Sequence, residues 1–266
     1  MTDLDLNGVR DYIVDWLNDY LSNTPLKGFV VGVSGGGDSA LTSTLCALTG
    51  KDVILLNMPI RQTSDEYHRA KKQIEDLESK FDNLRGLEID LSNSFKQLEN
   101  DLPSESVNDA LAMANTRARL RMLTLYAVGQ SNGLLVAGTG NKVEDFGVGF
   151  FTKYGDGGVD ISPIADLMKS EVFALAKHVG VIDEILEAQP TDGLWEDSRN
   201  DEDQIGATYD ELEWAMTFDG DESQLTNRQK EVIDIYNSFH KANVHKMKPI
   251  PVCIIPEKLK RLKSTV

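Results

Sequence analysis

The run Phe29-Val30-Val31-Gly32-Val33-Ser34-Gly35-Gly36-Gly37-Asp38-Ser39 constrains this chain more than any other segment. A short apolar run bounded by turn residues reads as a strand buried on both faces. Three consecutive glycines follow it directly, and residues from about Asp38 to Leu48 then carry a helical pattern. Strand, glycine turn and helix form the unit from which parallel sheets are wound, with helices covering the faces. Glycines let a ligand approach the backbone closely. The start of a helix leaves N–H groups unpaired and carries a partial positive charge. The combination is an anion site suited to phosphate, to which Ser34 and Ser39 add hydroxyl donors. It is not a Walker A loop, which requires a Gly-Lys pair that is absent here, nor a Gly-x-Gly-x-x-Gly dinucleotide turn. A tight turn capped by Asp or Ser does not need three glycines. Asp38 would repel a bound phosphate unless a metal ion bridged the two.

The rest of the chain repeats this theme. Val53 to Asn57, Gly86 to Leu91 and Leu134 to Gly138 read as further strands. Helices are predicted over residues 4–21, Ser64 to Ser79, Asn108 to Gln130, Leu167 to Val179 and Thr226 to Ala242. The expected fold class is α/β, a single domain over residues 1–266 with a parallel sheet flanked by helices. Ligands of such sheets bind beyond the carboxyl ends of the strands, here after Val33, Asn57 and Gly138.

Charge narrows the function. The 266 residues include 43 acidic and 27 basic side chains, a net charge of −16, which excludes a non-specific nucleic-acid binder. Residues 183–222 hold 15 acidic residues against Arg199 alone, and read as a solvated cover with short helices. Residues 241–266 hold seven Lys or Arg against Glu257, and place Lys246 to meet an anionic ligand. Cys46 and Cys253 form neither a disulfide framework nor a zinc spacing and fit a reducing compartment. No apolar run approaches the ~20 residues of a membrane span. The N-terminus has no signal-peptide pattern. A cytoplasmic protein is expected.

A second block follows the fourth strand: Gly138-Thr139-Gly140-Asn141-Lys142-Val143-Glu144, then Gly149-Phe150-Phe151-Thr152-Lys153-Tyr154-Gly155-Asp156-Gly157-Gly158-Val159-Asp160. Aromatics, a lysine and carboxylates so closely spaced beside a strand end suit a nucleotide pocket better than a surface loop. Ser-Gly-Gly-x-Asp-Ser after a strand resembles the pyrophosphate loop of the ATP pyrophosphatases, which cleave ATP between its α and β phosphates. The second block, with Asn115-Thr116-Arg117-Ala118-Arg119, Gln189-Pro190-Thr191 and His245-Lys246, resembles the signature of the ammonia-dependent NAD synthetases. Five blocks occur in family order and span almost the whole chain.

That resemblance implies an adenine nucleotide alpha-hydrolase-like fold. It assigns the ATP phosphates to Gly32, Val33, Ser34, Gly35, Gly36, Gly37, Asp38 and Ser39, and further ATP contacts to Thr139, Lys169 and Thr191. Asp38 and Glu144 are the implied magnesium ligands. Arg119, Lys153, Asp160, His245 and Lys246 are the implied contacts to deamido-NAD, with Phe150 and Phe151 near the pyridine ring or adenine. Without the resemblance, Arg119 and His245 would read as ordinary surface side chains. Two departures stand out. Gly37 replaces a larger residue, and the stretch from Glu144 to Phe150 is one residue longer than in enterobacterial-type relatives, which makes Asp145 a rival to Glu144.

The implied reaction amidates deamido-NAD to NAD with ATP and ammonia, through an adenylated intermediate, releasing AMP and pyrophosphate. Asp156 is the candidate to deprotonate ammonium, by location alone. The first strand begins near residue 29, leaving no room before it for the glutaminase domain of glutamine-dependent relatives, so free ammonia is the expected donor. Relatives are homodimers, and one is expected here, with the first and central helices as candidate interface elements. The alternative is another ligase of the ATP pyrophosphatase type, tRNA-modifying or GMP synthetase-like. The acidic balance and the lack of extra cysteines weigh against an RNA substrate.

Overall fold

A computed structural model of the chain describes residues 4–188 and 201–260. Four strands, β1 (Gly28–Gly32), β2 (Asp52–Asn57), β3 (Leu84–Glu88) and β4 (Leu134–Val136), form one parallel sheet in the order β3-β2-β1-β4. The helices are α1 (Leu6–Ser22), α2 (Gly37–Leu48), α3 (Ser64–Lys80), α4 (Ser92–Asp101), α5 (Ser104–Val107) and α6 (Ala110–Asn132). Beyond β4 come α7 (Lys169–His178), α8 (Asp183–Leu186), α9 (Asp201–Ile205), α10 (Tyr209–Thr217), α11 (Asn227–Met247) and α12 (Glu257–Lys260). None of these helices is long and apolar enough to cross a membrane.

Alternation along each strand feeds two cores. Phe29, Val31, Val53 and Leu55 face one side, packing with Leu41 and Leu45 of α2, Leu17 of α1 and Val172 and Leu175 of α7. Val30, Ile54, Leu56 and Val136 face the other, packing with Phe95 of α4 and Met122 and Leu125 of α6. Burying each large aliphatic side chain contributes roughly 1.5–3 kcal/mol. Both faces are covered over β1, β2 and β4, which is why these strands read as apolar runs, whereas β3 at the sheet edge does not.

Element ends depart from the sequence pattern where caps and pairing decide them. The third strand starts at Leu84, whose buried side chain pairs in register with Val53, and ends at Glu88 instead of Leu91. Residues Ile89 and Leu91 still donate backbone hydrogen bonds to Asn57 and Pro59, so the chain stays extended beyond the strand. The fourth strand stops at Val136, and Ala137 bridges Ile161 instead. The central helix starts after an Asp109 cap and ends at Gly133. The last long helix, capped by Thr226, runs to Met247 instead of Ala242.

The acidic stretch is more than a solvated cover. Among its described residues, Ile205, Tyr209, Leu212 and Ala215 turn inward and join Val143, Val148 and Val232 in a third apolar cluster. The Thr208–Glu211 capping box starts α10 and sets its apolar face toward α11. After α11, residues 248–256 run extended and exposed.

Candidate active site

A cavity of about 780 Å³ opens where the glycine turn, the end of β4 and the start of α7 meet. This is the carboxyl end of the sheet, where the topology places ligands. Its walls include Gly32 to Ser39, Thr139, Glu144, Lys169, Arg119, Lys153, Asp156, His245 and Lys246. The sequence-predicted residues are therefore brought together with two exceptions. Asp160 is not among the lining residues: its two oxygens accept from the Tyr126 hydroxyl at 3.0 Å and the Val136 N–H at 2.8 Å, tying α6 to β4. Thr191, with Gln189 and Pro190, lies outside the described residues.

The glycine turn is held from outside. Gly35 has φ of +89°, and a Cβ there would sit 2.5 Å from the Glu66 carbonyl oxygen. The Arg69 Nε donates to the Gly35 carbonyl at 3.1 Å. Ser39 Oγ accepts from the Ser34 N–H at 3.2 Å and donates to the Gly36 carbonyl at 3.0 Å. No side chain caps α2, so its first N–H groups face the cavity uncapped by the chain.

At the centre lies a charged cluster. Lys169 Nζ donates to Asp38 Oδ2 at 2.5 Å and to Glu144 Oε1 at 2.9 Å. Asn141 Nδ2 donates to Asp38 Oδ1 at 3.0 Å. The Tyr209 hydroxyl donates to Glu144 Oε1 at 2.5 Å. Burial disfavours the Lys169 ammonium, but the two carboxylates outweigh it and hold it protonated above its ordinary value. Burial likewise opposes charge on Glu144, yet Lys169 and the Tyr209 hydroxyl keep its carboxyl below the usual range. Burial pushes Asp38 up against the pull of Lys169.

Glu144 reaches this cluster because of a π-helical turn, Lys142–Val148. Its backbone hydrogen bonds close one residue wider than those of an α-turn. Asn141 Oδ1 caps it by accepting from the Val143 and Glu144 N–H groups at 3.1 Å each. Gly149 closes it in the left-handed region. Asp145 also lines the cavity, with its carboxylate against Gly140, and burial followed by the charge of Glu144 pushes it up to about 8.

The opposite wall is a chain of backbone contacts. Arg119 Nε donates to the Lys153 carbonyl at 3.2 Å, and Lys153 Nζ to the His245 carbonyl at 3.4 Å. Lys246 Nζ donates to the carbonyls of Gly149 at 2.5 Å and Phe151 at 2.6 Å, lying 4.6 Å from the Phe151 ring centroid. Asp156 opens into the cavity and accepts from the Thr152 N–H at 3.0 Å. The protein mass around Asp156 pushes it up to about 6, with Glu144 adding to the effect. Tyr209, Asn141 and Arg69, which brace the charged cluster and the glycine turn, are positions that the sequence pattern did not single out. The Thr208–Glu211 capping box was the one local signal that Tyr209 begins a helix.

A family model described as NAD synthase matches residues 9–250. An NH(3)-dependent NAD(+) synthetase of Mesoplasma florum is 33% identical over 97% of this chain and 100% of that protein. Among solved structures, an NMN synthetase from Francisella tularensis superposes with a TM-score of 0.83 at 33% identity, covering 96% of this chain and 99% of that one. An NH3-dependent NAD synthetase from Campylobacter jejuni gives 0.76 at 26% identity, covering 94% and 100%.

Proposed function

Because the chain belongs to the NAD synthase family, we propose that it amidates deamido-NAD to NAD with ATP and ammonia, releasing AMP and pyrophosphate. The observation that carries this reading is the Asp38–Lys169–Glu144 cluster at the mouth of an uncapped glycine turn. The N–H groups of the turn and of α2 hold the polyphosphate. The pyridine carboxylate attacks the α-phosphorus in line and pyrophosphate leaves. Ammonia then adds to the acyl carbon and AMP departs. Positioning and electrostatics supply most of the rate. Asp156 lines the cavity beside Thr152. It holds an incoming ammonium and takes its proton.

The donor set suits a divalent cation. Asp38 and Glu144 converge on one ammonium, and two carboxylates around a single cation are the hard-oxygen ligands magnesium takes alongside phosphate. Asp38 and Glu144 would hold it, where it would offset charge on the pyrophosphate. Lys169 would then turn to phosphate. Arg119, Lys153, His245 and Lys246 face the dinucleotide.

We read residues 1–266 as one synthetase domain using free ammonia in the cytoplasm, in keeping with free thiols at Cys46 and Cys253. We also propose a homodimer. Leu111, Leu123 and Tyr126 of α6 are exposed, as are Ile250, Val252 and Ile254 of the extended tail, and a second copy would cover them.

The test is an assay with ATP, Mg2+, ammonium and either deamido-NAD or its mononucleotide counterpart, the latter because one similar structure is an NMN synthetase. Equal yields of NAD and AMP from the dinucleotide are expected. Amide formed from the mononucleotide alone would overturn the dinucleotide reading. AMP without either amide would favour another ATP pyrophosphatase-type ligase. Asp38→Ala should abolish turnover and leave the circular dichroism spectrum unchanged.

A further inference from the structure

Tyr209 sits in the acidic stretch, 65 residues from Glu144 in sequence, yet its hydroxyl lies 2.5 Å from Glu144 Oε1. The same hydroxyl lies 3.2 Å from Asp201 Oδ2. A phenol carries one proton and serves one acceptor at a time. The shorter contact has the length of a charge-assisted bond, so the proton goes to Glu144. The ring does a second task, standing 4.8 Å from Lys169 Nζ.

From this geometry we infer that Tyr209 is a positioning residue, which fixes the Glu144 carboxylate for a divalent cation and makes that orientation depend on the docking of α10. The inference rests on the reading above that Asp38 and Glu144 hold the cation. Both Lys169 and Tyr209 address Oε1, which leaves Oε2 free of these two donors. Lys169 is itself a cation, and it competes with a metal for the same carboxylates. A neutral phenol does not. It keeps its bond to Oε1 whichever positive charge neutralises the glutamate. Its backbone is anchored separately, since the Tyr209 N–H donates to Glu202 Oε1 at 2.8 Å and the ring is buried in the third apolar cluster. Donors that orient a metal-binding carboxylate commonly set affinity by tenfold or more.

The test uses the full chain, Mn2+ as probe read by electron paramagnetic resonance, and an ATP analogue with a methylene between its α and β phosphates. Tyr209→Phe keeps the ring and should keep the thermal midpoint. We expect its Mn2+ Kd to rise about tenfold, with analogue affinity in the absence of divalent cations changed less than twofold. In a Glu144→Gln background, adding Tyr209→Phe should change Mn2+ affinity less than twofold, because the hydroxyl acts through Glu144. An unchanged Kd in the single variant overturns the inference. So does a full tenfold loss in the Glu144→Gln background. Neither readout depends on which nucleotide is amidated, so failure of the assay above leaves this test standing.

Discussion

Lys169 is almost fully enclosed, with 6% of its side chain exposed, and its charge is tolerable only because Asp38 and Glu144 flank it. Removing one partner from a buried ionic cluster strands the others, at a cost of about 3 kcal/mol or more. Lys169→Gln should therefore lower the thermal midpoint in EDTA. Mg2+ should restore more of the loss in the variant than it adds to the wild type, since the metal would replace the missing ammonium. A midpoint that ignores Mg2+ would count against the metal assignment. At this scale the sequence was most informative where chemistry is local. Asp38 and Glu144 stand in short motifs beside strand ends, and Lys169 opens a helix. Tyr209 could not be found this way, because nothing in an acid-rich stretch distinguishes an inward tyrosine from an outward one. Asp160 is a motif residue whose oxygens accept from Tyr126 and Val136, a tie between α6 and β4 that the motif alone does not reveal.

The element that decides the site's shape is the π-helical turn. Its closing Gly149 has φ of +66°, and a Cβ there would lie 2.4 Å from Asn243 Cβ on α11. Gly149→Ala combines left-handed strain with displacement of α11. It should cost about 2 kcal/mol and raise the KM for the dinucleotide, because α11 carries His245 and Lys246; a midpoint and KM equal to wild type would refute this. A second prediction concerns how α10 meets α11. The Arg228 side chain bonds Glu211 at 2.7 Å and holds its carboxyl down at about 2. A carboxylate depressed on folding adds stability above its unfolded value and loses it as pH falls through the folded one. Glu211→Gln should therefore melt below wild type at pH 7, and the gap should close between about pH 4.5 and pH 2. Strands β1, β2 and β4 were legible because each is a short apolar run. Element ends were less legible, because residues such as Asp109 and Gly133 set them through caps.

For the molecule as a whole, the net charge of −16 describes the surface, whereas the pocket lining balances its Asp and Glu with as many Lys and Arg. Lysines 153, 169 and 246 and the uncapped start of α2 line the cavity that receives two polyanions. An aspartate placed on the exposed apolar face of α6 should disturb assembly. Leu123, 65% exposed, contributes little to the monomer's own core. Leu123→Asp should keep the fold and shift light scattering from dimer toward monomer. A wild-type monomer would remove the dimer proposal altogether. The third apolar cluster has a consequence of its own. Its buried residues come from the π-turn, α9, α10 and α11 and the turn between α9 and α10, while the other two clusters grip the sheet directly. A unit attached at one side can open without unravelling the strands. Backbone amides of α10 and α11 should therefore exchange with deuterium faster than those of β1 and β2. ATP binding should slow the first group and leave the second nearly unchanged, so the ligand would act as the latch on a separately breathing half of the protein.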